Sequence, residues 1–146
     1  MRLSGITYRN SVRLCLLALF VFTLTINGQS KKPSEEEKIF RQIEEGIGKS
    51  SVDKFSGYFL NKVFISLATG TPKNYSANQA YYVIKNFLGI HNPTGFKFDF
   101  ISGGTANPFA WGELKYIKNG MKGKAKVFIT LINEKNQWKI SQITIN

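Results

Sequence analysis

The feature that most constrains the fold is a change of hydrophobic period after Pro93. Downstream of it, β-branched and aromatic residues recur with the two-residue period of strands instead of the period of a helix. The predicted strands span residues 96–102, 109–117, 122–132 and 137–145. Asn119-Gly120 joins the second to the third as a hairpin turn, and residues 133–136 join the third to the fourth. The second half of the chain is therefore predicted to be a meander of long antiparallel strands.

A helical region is predicted ahead of these strands. Ser34 is its predicted N-cap, and the glutamates that follow favour the positive end of the helix dipole. Its apolar residues recur at helical spacing: Ile39, Phe40, Ile43 and Ile47. Gly46 and Gly48 interrupt the pattern, and a second segment from Ser50 or Ser51 to Phe59 resumes it. One long, kinked helical region is therefore predicted.

A short strand and a second helix fill the middle of the chain. Residues 61–70 are rich in β-formers and predict the strand. Ser76 and Gln79 stand at the spacing of a capping box, and Gly89 marks the end of the helix that follows. Its predicted buried stripe is Ala80, Val83, Ile84, Phe87 and Leu88. Helices first and strands afterwards indicate an α+β domain with N-terminal helices packed on one face of a curved antiparallel sheet.

The N-terminus has the order of a secretory signal peptide, with arginines before an apolar run and small polar residues after it. The run from Leu14 to Ile26 is shorter than the roughly 20 residues of a membrane-spanning helix. Cys15 lies near its beginning, which disfavours a lipid anchor. We therefore expect a cleaved signal peptide at 1–28, a linker at 29–34 and a single domain at 35–146. The expected location is periplasmic or secreted, with no stable membrane span after cleavage.

The composition excludes several kinds of site. Cys15 is the only cysteine and His91 the only histidine, so neither a thiolate nor a zinc constellation is expected, and no cofactor is implied. Without the leader arginines, 17 basic and 9 acidic residues leave a net charge of +8. Arg41 is then the single arginine, which disfavours nucleic acid as a partner. Acidic glycans and lipid headgroups stay open as partners, and a solvated lysine surface is favoured.

A family resemblance follows from these residues. The run YSANQAYYVIKNFLGIHNPTGFKFDFISGG, preceded by one strand and followed by three that end in WKISQITIN, resembles a secreted bacterial domain-of-unknown-function family. That family lies within the nuclear transport factor 2-like superfamily, and the resemblance covers the chain from about Ser34 to its end. It implies a bent sheet wrapped round helices to leave a cone-shaped pocket. The superfamily contains ketosteroid isomerase, scytalone dehydratase and many non-catalytic domains, so the fold implies no activity.

The alternating phenylalanines of 96–102 predict one apolar face that is turned towards the helices. Asp99 then points outward, unless a β-bulge reverses the alternation beyond it. The aromatic residues predicted to line a ligand pocket are Tyr82, Phe96, Phe98, Phe100, Tyr116 and Trp138. Core packing is the alternative role for these residues.

A pocket enzyme of the isomerase or dehydratase type needs a carboxylate base among apolar side chains. Asp53 and Glu113 are the candidates, and the facing of Glu113 is open. Surface carboxylates paired with lysines are the favoured interpretation, so catalysis stays uncertain and its absence is favoured.

Two further patterns bear on partners. Lys122, Lys124 and Lys126 alternate along one strand, which fits either a stripe for polyanions or protection against edge-to-edge strand pairing; we favour the second. The last strand has Ile140 on one predicted face and Ile143 on the other, which predicts two-sided burial or a homodimer through the sheet.

Taken together, the sequence favours an exported, non-catalytic domain that binds a small apolar or amphipathic ligand, or a partner protein, in the bacterial envelope. The pocket enzyme is one alternative, and it predicts a carboxylate buried among aromatic rings with a raised pKa. A dimeric interaction module is the other, and it predicts a closed interior and a contact on the outer face of the sheet.

Overall fold

The computed structural model describes residues 32–146. Its helices and strands are α1 Glu35–Gly48, β1 Phe59–Leu67, β2 Lys73–Ser76, α2 Ala77–His91, β3 Pro93–Ile101, β4 Phe109–Lys118, β5 Met121–Glu134 and β6 Gln137–Ile145. The predicted signal peptide, Cys15 and the first part of the predicted linker lie outside the described residues. No helix within 32–146 combines the length and the hydrophobicity needed to span a bilayer.

Both helices begin at the predicted caps. The Ser34 hydroxyl accepts the Glu37 N–H and the Glu37 carboxylate accepts the Ser34 N–H, at 3.3 Å in each case. Ser76 and Gln79 form the same reciprocal pair at the start of α2. Each capping box satisfies backbone donors that a helix start leaves unpaired, so these two boundaries are encoded locally.

The prediction of one long, kinked N-terminal helix is wrong. The chain leaves α1 at Gly48, passes through Ser50 at a positive φ of 54°, and makes two short 3₁₀ turns before β1. Gly46 permits this reversal because a side chain there would overlap the ring of Phe55, which packs back against α1. The apolar residues after Gly48 therefore point to one side without forming a helix.

The six strands form one sheet in the order β2-β1-β6-β5-β4-β3. Four of the five pairings are antiparallel, and β1 pairs with β6 in parallel. The predicted α+β class, with helices packed on a curved sheet, is confirmed. The four-residue β2 was not predicted, because so short a strand shows little periodicity.

The helices cover one face of the sheet, which we call the inner face. Fully buried side chains from both layers meet there, including Phe40 and Ile43 of α1, Leu114 of β4, Leu131 of β5 and Ile140 of β6. Each such side chain contributes about 1.5–3 kcal/mol when it is removed from water. The core can therefore hold the domain together without a disulfide.

A β-bulge at Ser141 decides which way the last strand faces. Ile140 pairs with Leu131 and Gln142 with Thr130, so Ser141 is an extra residue on β6. Because an extra residue reverses the alternation, Ile143 faces inward like Ile140, and both are buried. The prediction that β6 is apolar on both faces is wrong, and it no longer supports a homodimer.

A second bulge, at Asp99, divides the phenylalanines of β3. Phe98 pairs with Gly112 and Phe100 pairs with Trp111, its immediate neighbour. Phe98 stays on the inner face, whereas Phe100 turns to the opposite, outer face and is 46% exposed. The prediction that Phe100 faces the helices is therefore wrong, and Asp99 is exposed, as predicted, at the bulge.

Contacts on both sides hold β3 at this bulge. The Phe98 N–H donates to the carboxylate of Glu44 on α1 at 2.8 Å. On the other side Gly112 leaves no room for a side chain, because a Cβ there would overlap the carbonyl of Lys97. Helix α1 and strand β4 together therefore determine where the alternation of β3 changes.

Candidate binding site on the outer face of the sheet

Core side chains fill the space between helices and sheet, where the family resemblance implies a pocket. The Phe98 ring lies 5.7 Å from that of Phe40 and 4.8 Å from that of Phe96, each edge to face. Phe96 and Phe98 are partly buried and pack against the main core cluster. These two predicted pocket residues therefore act as packing in this structure.

The other four predicted pocket residues lie in different places. Tyr82 is 60% exposed on α2, and Phe100 is on the outer face. The Tyr116 ring packs edge to face with the His91 ring, with 4.9 Å between ring centroids. Trp138 lines a recess of about 310 Å³ at the start of β6. The structure does not bring the six aromatic residues into one pocket.

His91 has a structural role at the end of α2. It is buried, its ring stacks on Phe87 at 4.0 Å, and Nδ1 lies 2.8 Å from the Phe87 carbonyl. The Nδ1–H group is the donor of this hydrogen bond, because a carbonyl oxygen can only accept. No group of potential metal ligands occurs within residues 32–146.

The carboxylates considered for catalysis lie near the surface. Asp53 is exposed and accepts a hydrogen bond from the Tyr81 hydroxyl at 3.0 Å. Glu113 is half-buried on the outer face, and its carboxylate lies 3.0 Å from Nζ of Lys124. In the part of the chain that the structure describes, His91 is the one buried polar side chain, so no carboxylate is enclosed by aromatic rings.

One carboxylate has a displaced pKa. Hydrogen bonds from Lys49 and then Lys54, aided by their charges, lower the pKa of Glu45 below its ordinary value. All three side chains are well exposed. Because water screens such pairs, this cluster belongs to the solvated surface of α1.

The outer face carries an aromatic cluster on three neighbouring strands, which we call the aromatic patch. It consists of Phe100 on β3, Phe109 and Trp111 on β4, and Phe128 on β5. The Phe109 ring lies 5.7 Å from that of Phe100 and 5.4 Å from that of Phe128. Trp111 stands between Phe100 and Phe128 in the ladder and is 41% exposed. Because α1 and α2 pack on the inner face, neither helix covers this patch.

Lysines lie on the hairpin side of the patch. By strand register, the outer face of β3, β4 and β5 carries two glutamates, Glu113 and Glu134, and five lysines: Lys97, Lys115, Lys122, Lys124 and Lys126. Asp99 is exposed at the bulge of β3. The lysines of β5 do not protect a sheet edge, since β5 lies between β6 and β4. The edge-protection interpretation is therefore wrong.

A recess of about 660 Å³ lies at the β4–β5 hairpin, beside the start of β3. Its lining consists of Thr94, Lys115, Tyr116, Ile117, Lys122, Gly123 and Lys124. The register places Lys115 directly opposite Lys124, and Ile117 opposite Lys122. Of the six predicted pocket residues, Tyr116 alone lines this recess.

The model of a family described as Domain of unknown function (DUF4783) matches residues 40–146, which is most of the chain. The chain belongs to the DUF4783 family. No curated protein matches it.

Solved structures agree with this assignment. A DUF4783 protein from Bacteroides uniformis is 16% identical, with a TM-score of 0.66 over 73% of this chain and 94% of that one. One from Bacteroides ovatus is 22% identical, with a TM-score of 0.63 over 71% and 90%. A nuclear transport factor 2-like protein of unknown function from Shewanella oneidensis is 10% identical, with a TM-score of 0.55 over 74% and 93%. At these identities the likeness establishes the fold, and the predicted nuclear transport factor 2-like fold is confirmed.

The aromatic patch of this DUF4783 domain was missed from the sequence, apart from Phe100. A signal was present in β4, where Phe109 and Trp111 alternate with Ala110 and Gly112. Small residues that alternate with aromatic ones indicate that the small side is closely packed and that the aromatic side faces away. The assignment of Phe100 to the same side also required the bulge at Asp99.

Proposed function

We propose that this DUF4783 protein is an exported, non-catalytic domain that binds an acidic partner protein of the bacterial envelope through the aromatic patch. The observation that carries the proposal is the exposure of Trp111 and Phe100 in the aromatic patch, where the Phe109 ring contacts those of Phe100 and Phe128 and Trp111 stands between Phe100 and Phe128 in the ladder. Contiguous apolar surface of this kind marks interaction sites, and tryptophan and tyrosine dominate binding hot spots. The order of a signal peptide in residues 1–28 supports export.

Charge selects the kind of partner. Lys97 and Lys126 flank Glu113 in the row of the sheet next to the patch. A surface with apolar centre and basic rim complements an apolar anchor surrounded by aspartate and glutamate. Complementary charge of this kind raises the rate of encounter and rejects basic partners.

A homodimer through the sheet is the competing occupant of the same face. A second copy would bring the same basic surface against itself, and like charges that face each other across an interface are costly. The domain as a whole is also basic, with a net charge of +8 beyond the leader arginines. These charges favour a different, acidic chain over a second copy.

The other functions have less support. Binding of a small apolar ligand inside the cone would require space that Phe40, Phe98 and their neighbours occupy. A pocket enzyme would require an enclosed carboxylate, whereas Asp53 and Glu113 lie at the surface of the described region. Nucleic acid remains a poor fit because Arg41 is the single arginine after the leader.

Site-specific photocrosslinking tests the proposal. A photoreactive phenylalanine analogue replaces Phe128 in the full chain, expressed in its native bacterium. The matched control carries the same analogue at Tyr82, which is exposed on α2 away from the sheet. We expect Phe128 to crosslink to an acidic segment of one partner protein. The control should give no such product, and Trp111→Ser should abolish it.

Three outcomes would overturn the proposal. Crosslinks to a second copy alone would identify a homodimer, and crosslinks to lipid alone would identify a membrane-binding face. Equal products from Phe128 and Tyr82 would mean that the contact is not specific. With the purified partner, Trp111→Ser should weaken binding by about thirtyfold, as expected for a hot-spot residue.

A further inference from the structure

We propose a second binding site, in the recess at the β4–β5 hairpin, for a small anionic amphiphile with one carboxylate or phosphate head and a single apolar chain. The recess of about 660 Å³ falls within the range of roughly 300–1,000 Å³ that is usual for small-molecule sites. None of the four residues of the aromatic patch lines it. The site is therefore separate from the protein-binding surface.

The arrangement of its lysines carries the inference. Lys115 and Lys124 stand directly opposite each other across the strand pair, where like charges are destabilising. Glu113 pairs with Lys124, while Lys115 and Lys122 form no ion pair with any residue in 32–146. Because β5 is an interior strand, protection of a sheet edge does not explain this cost. An anion held between the ammonium groups would offset it.

The rest of the lining suits an apolar body. Ile117 lies beside the lysines on the outer face, and Tyr116 contributes to the wall. The lysine side chains add long methylene stems that can cover an apolar chain while their charged ends reach the head group. A negatively charged head would contact the lysine ammonium groups of the recess, and an uncharged body would contact Ile117 and Tyr116.

Calorimetric titration of the purified protein tests this proposal, with dodecanoate and dodecyl phosphate as probes below their micelle concentrations. The two probes distinguish a carboxylate from a phosphate head. Dodecyltrimethylammonium has the same chain with a positive head, and inorganic phosphate has a head alone. We expect one site for at least one anionic probe, no binding of the cation, and binding of inorganic phosphate at least about tenfold weaker.

Variants locate the site. Lys115→Gln and Lys122→Gln should each weaken binding of the anionic probe by about tenfold, the usual effect of one hydrogen bond to a charged group. Lys62→Gln is the matched control, because it removes the same charge from an exposed position on β1, beyond β5 and β6. We expect it to leave binding unchanged.

Three results would overturn the inference: no binding of either anionic probe, equal binding of the cation, or equal weakening by Lys62→Gln. Trp111→Ser serves as the reference for the aromatic patch. It should leave amphiphile binding unchanged, whereas Lys115→Gln should leave the Phe128 crosslink in place. The two proposals can therefore fail separately.

Discussion

The two faces of β4 differ more than any other neighbouring parts of the domain. Ala110 and Leu114 on the inner face are fully buried, whereas Trp111 between them is 41% exposed on the outer face. Lys115 follows on that same outer face. Alternation along one strand thus separates the side chains that stabilise the fold from those available for recognition. The comparison teaches that the side chains of β4 available for recognition are those of the outer face, because those of the inner face are buried in the core.

At a bulge, the positions of a strand that face the core and those that face outward exchange. Asp99 moves Phe100 from the inner face to the outer one, and Ser141 keeps Ile143 and Ile145 on the inner face with Ile140. One extra residue therefore transfers an apolar side chain between stabilisation and exposure.

Deletion of Ser141 should have the largest effect. It would turn Ile143 and Ile145 outward and place polar neighbours in the core, so we expect loss of the folded protein in circular dichroism and thermal melts. Ser141→Ala is the control, because it keeps the residue count and removes one hydrogen bond to the Thr130 carbonyl. It should cost about 0.5–1.5 kcal/mol. A deletion variant that melts like Ser141→Ala would show that the bulge does not set the facing of β6.

Leu131→Ala should come second. Leu131 is fully buried on the inner face, so its truncation should lower the free energy of unfolding by about 2–5 kcal/mol. Thr130→Ala, one residue away on the outer face, should change it by less than about 1 kcal/mol. Urea denaturation measures both. Similar losses would mean that the two faces do not differ in their contribution to stability.

Gly112→Ala should have an intermediate effect. A methyl group there meets the Lys97 carbonyl at the site where β3 bulges, and such overpacking costs about 1–3 kcal/mol. Gly95→Ala is the matched control on β3, where a Cβ would meet no atom within 4 Å. Denaturation of both variants checks this prediction, and an equal response would exclude close strand packing as the cause.

Phe100→Thr should have the smallest effect on stability. Phe100 is 46% exposed at the edge strand, so the loss of its contact with Phe109 should cost only about 0.2–1 kcal/mol. The same substitution should reduce the Phe128 crosslink. A loss of stability as large as that of Leu131→Ala would show that Phe100 packs in the core. It would then weaken the support for the proposed function.

Much of the fold was predictable because its signals are local. The Ser34 N-cap, the capping box of Ser76 and Gln79 and the Asn119-Gly120 hairpin are predicted where the structure has them. The boundaries of β6 were predicted to the residue. The candidate site was less predictable: the sequence predicts Phe100 and Tyr116 in one interior pocket, whereas Phe100 lies on the outer face and Tyr116 lines the hairpin recess.

The sequence by itself determined the starts of both helices, the four strands after Pro93 with the hairpin turn at Asn119-Gly120, and a basic surface with little arginine. These properties depend on residues within a few positions of one another or on simple composition. Tertiary structure alone decided the parallel pairing of β1 with β6, the extra residues at Asp99 and Ser141, and the interior position of the lysine-bearing β5. The physical reason is that a bulge is defined against a partner strand, and a residue's face follows from a register that distant segments set together.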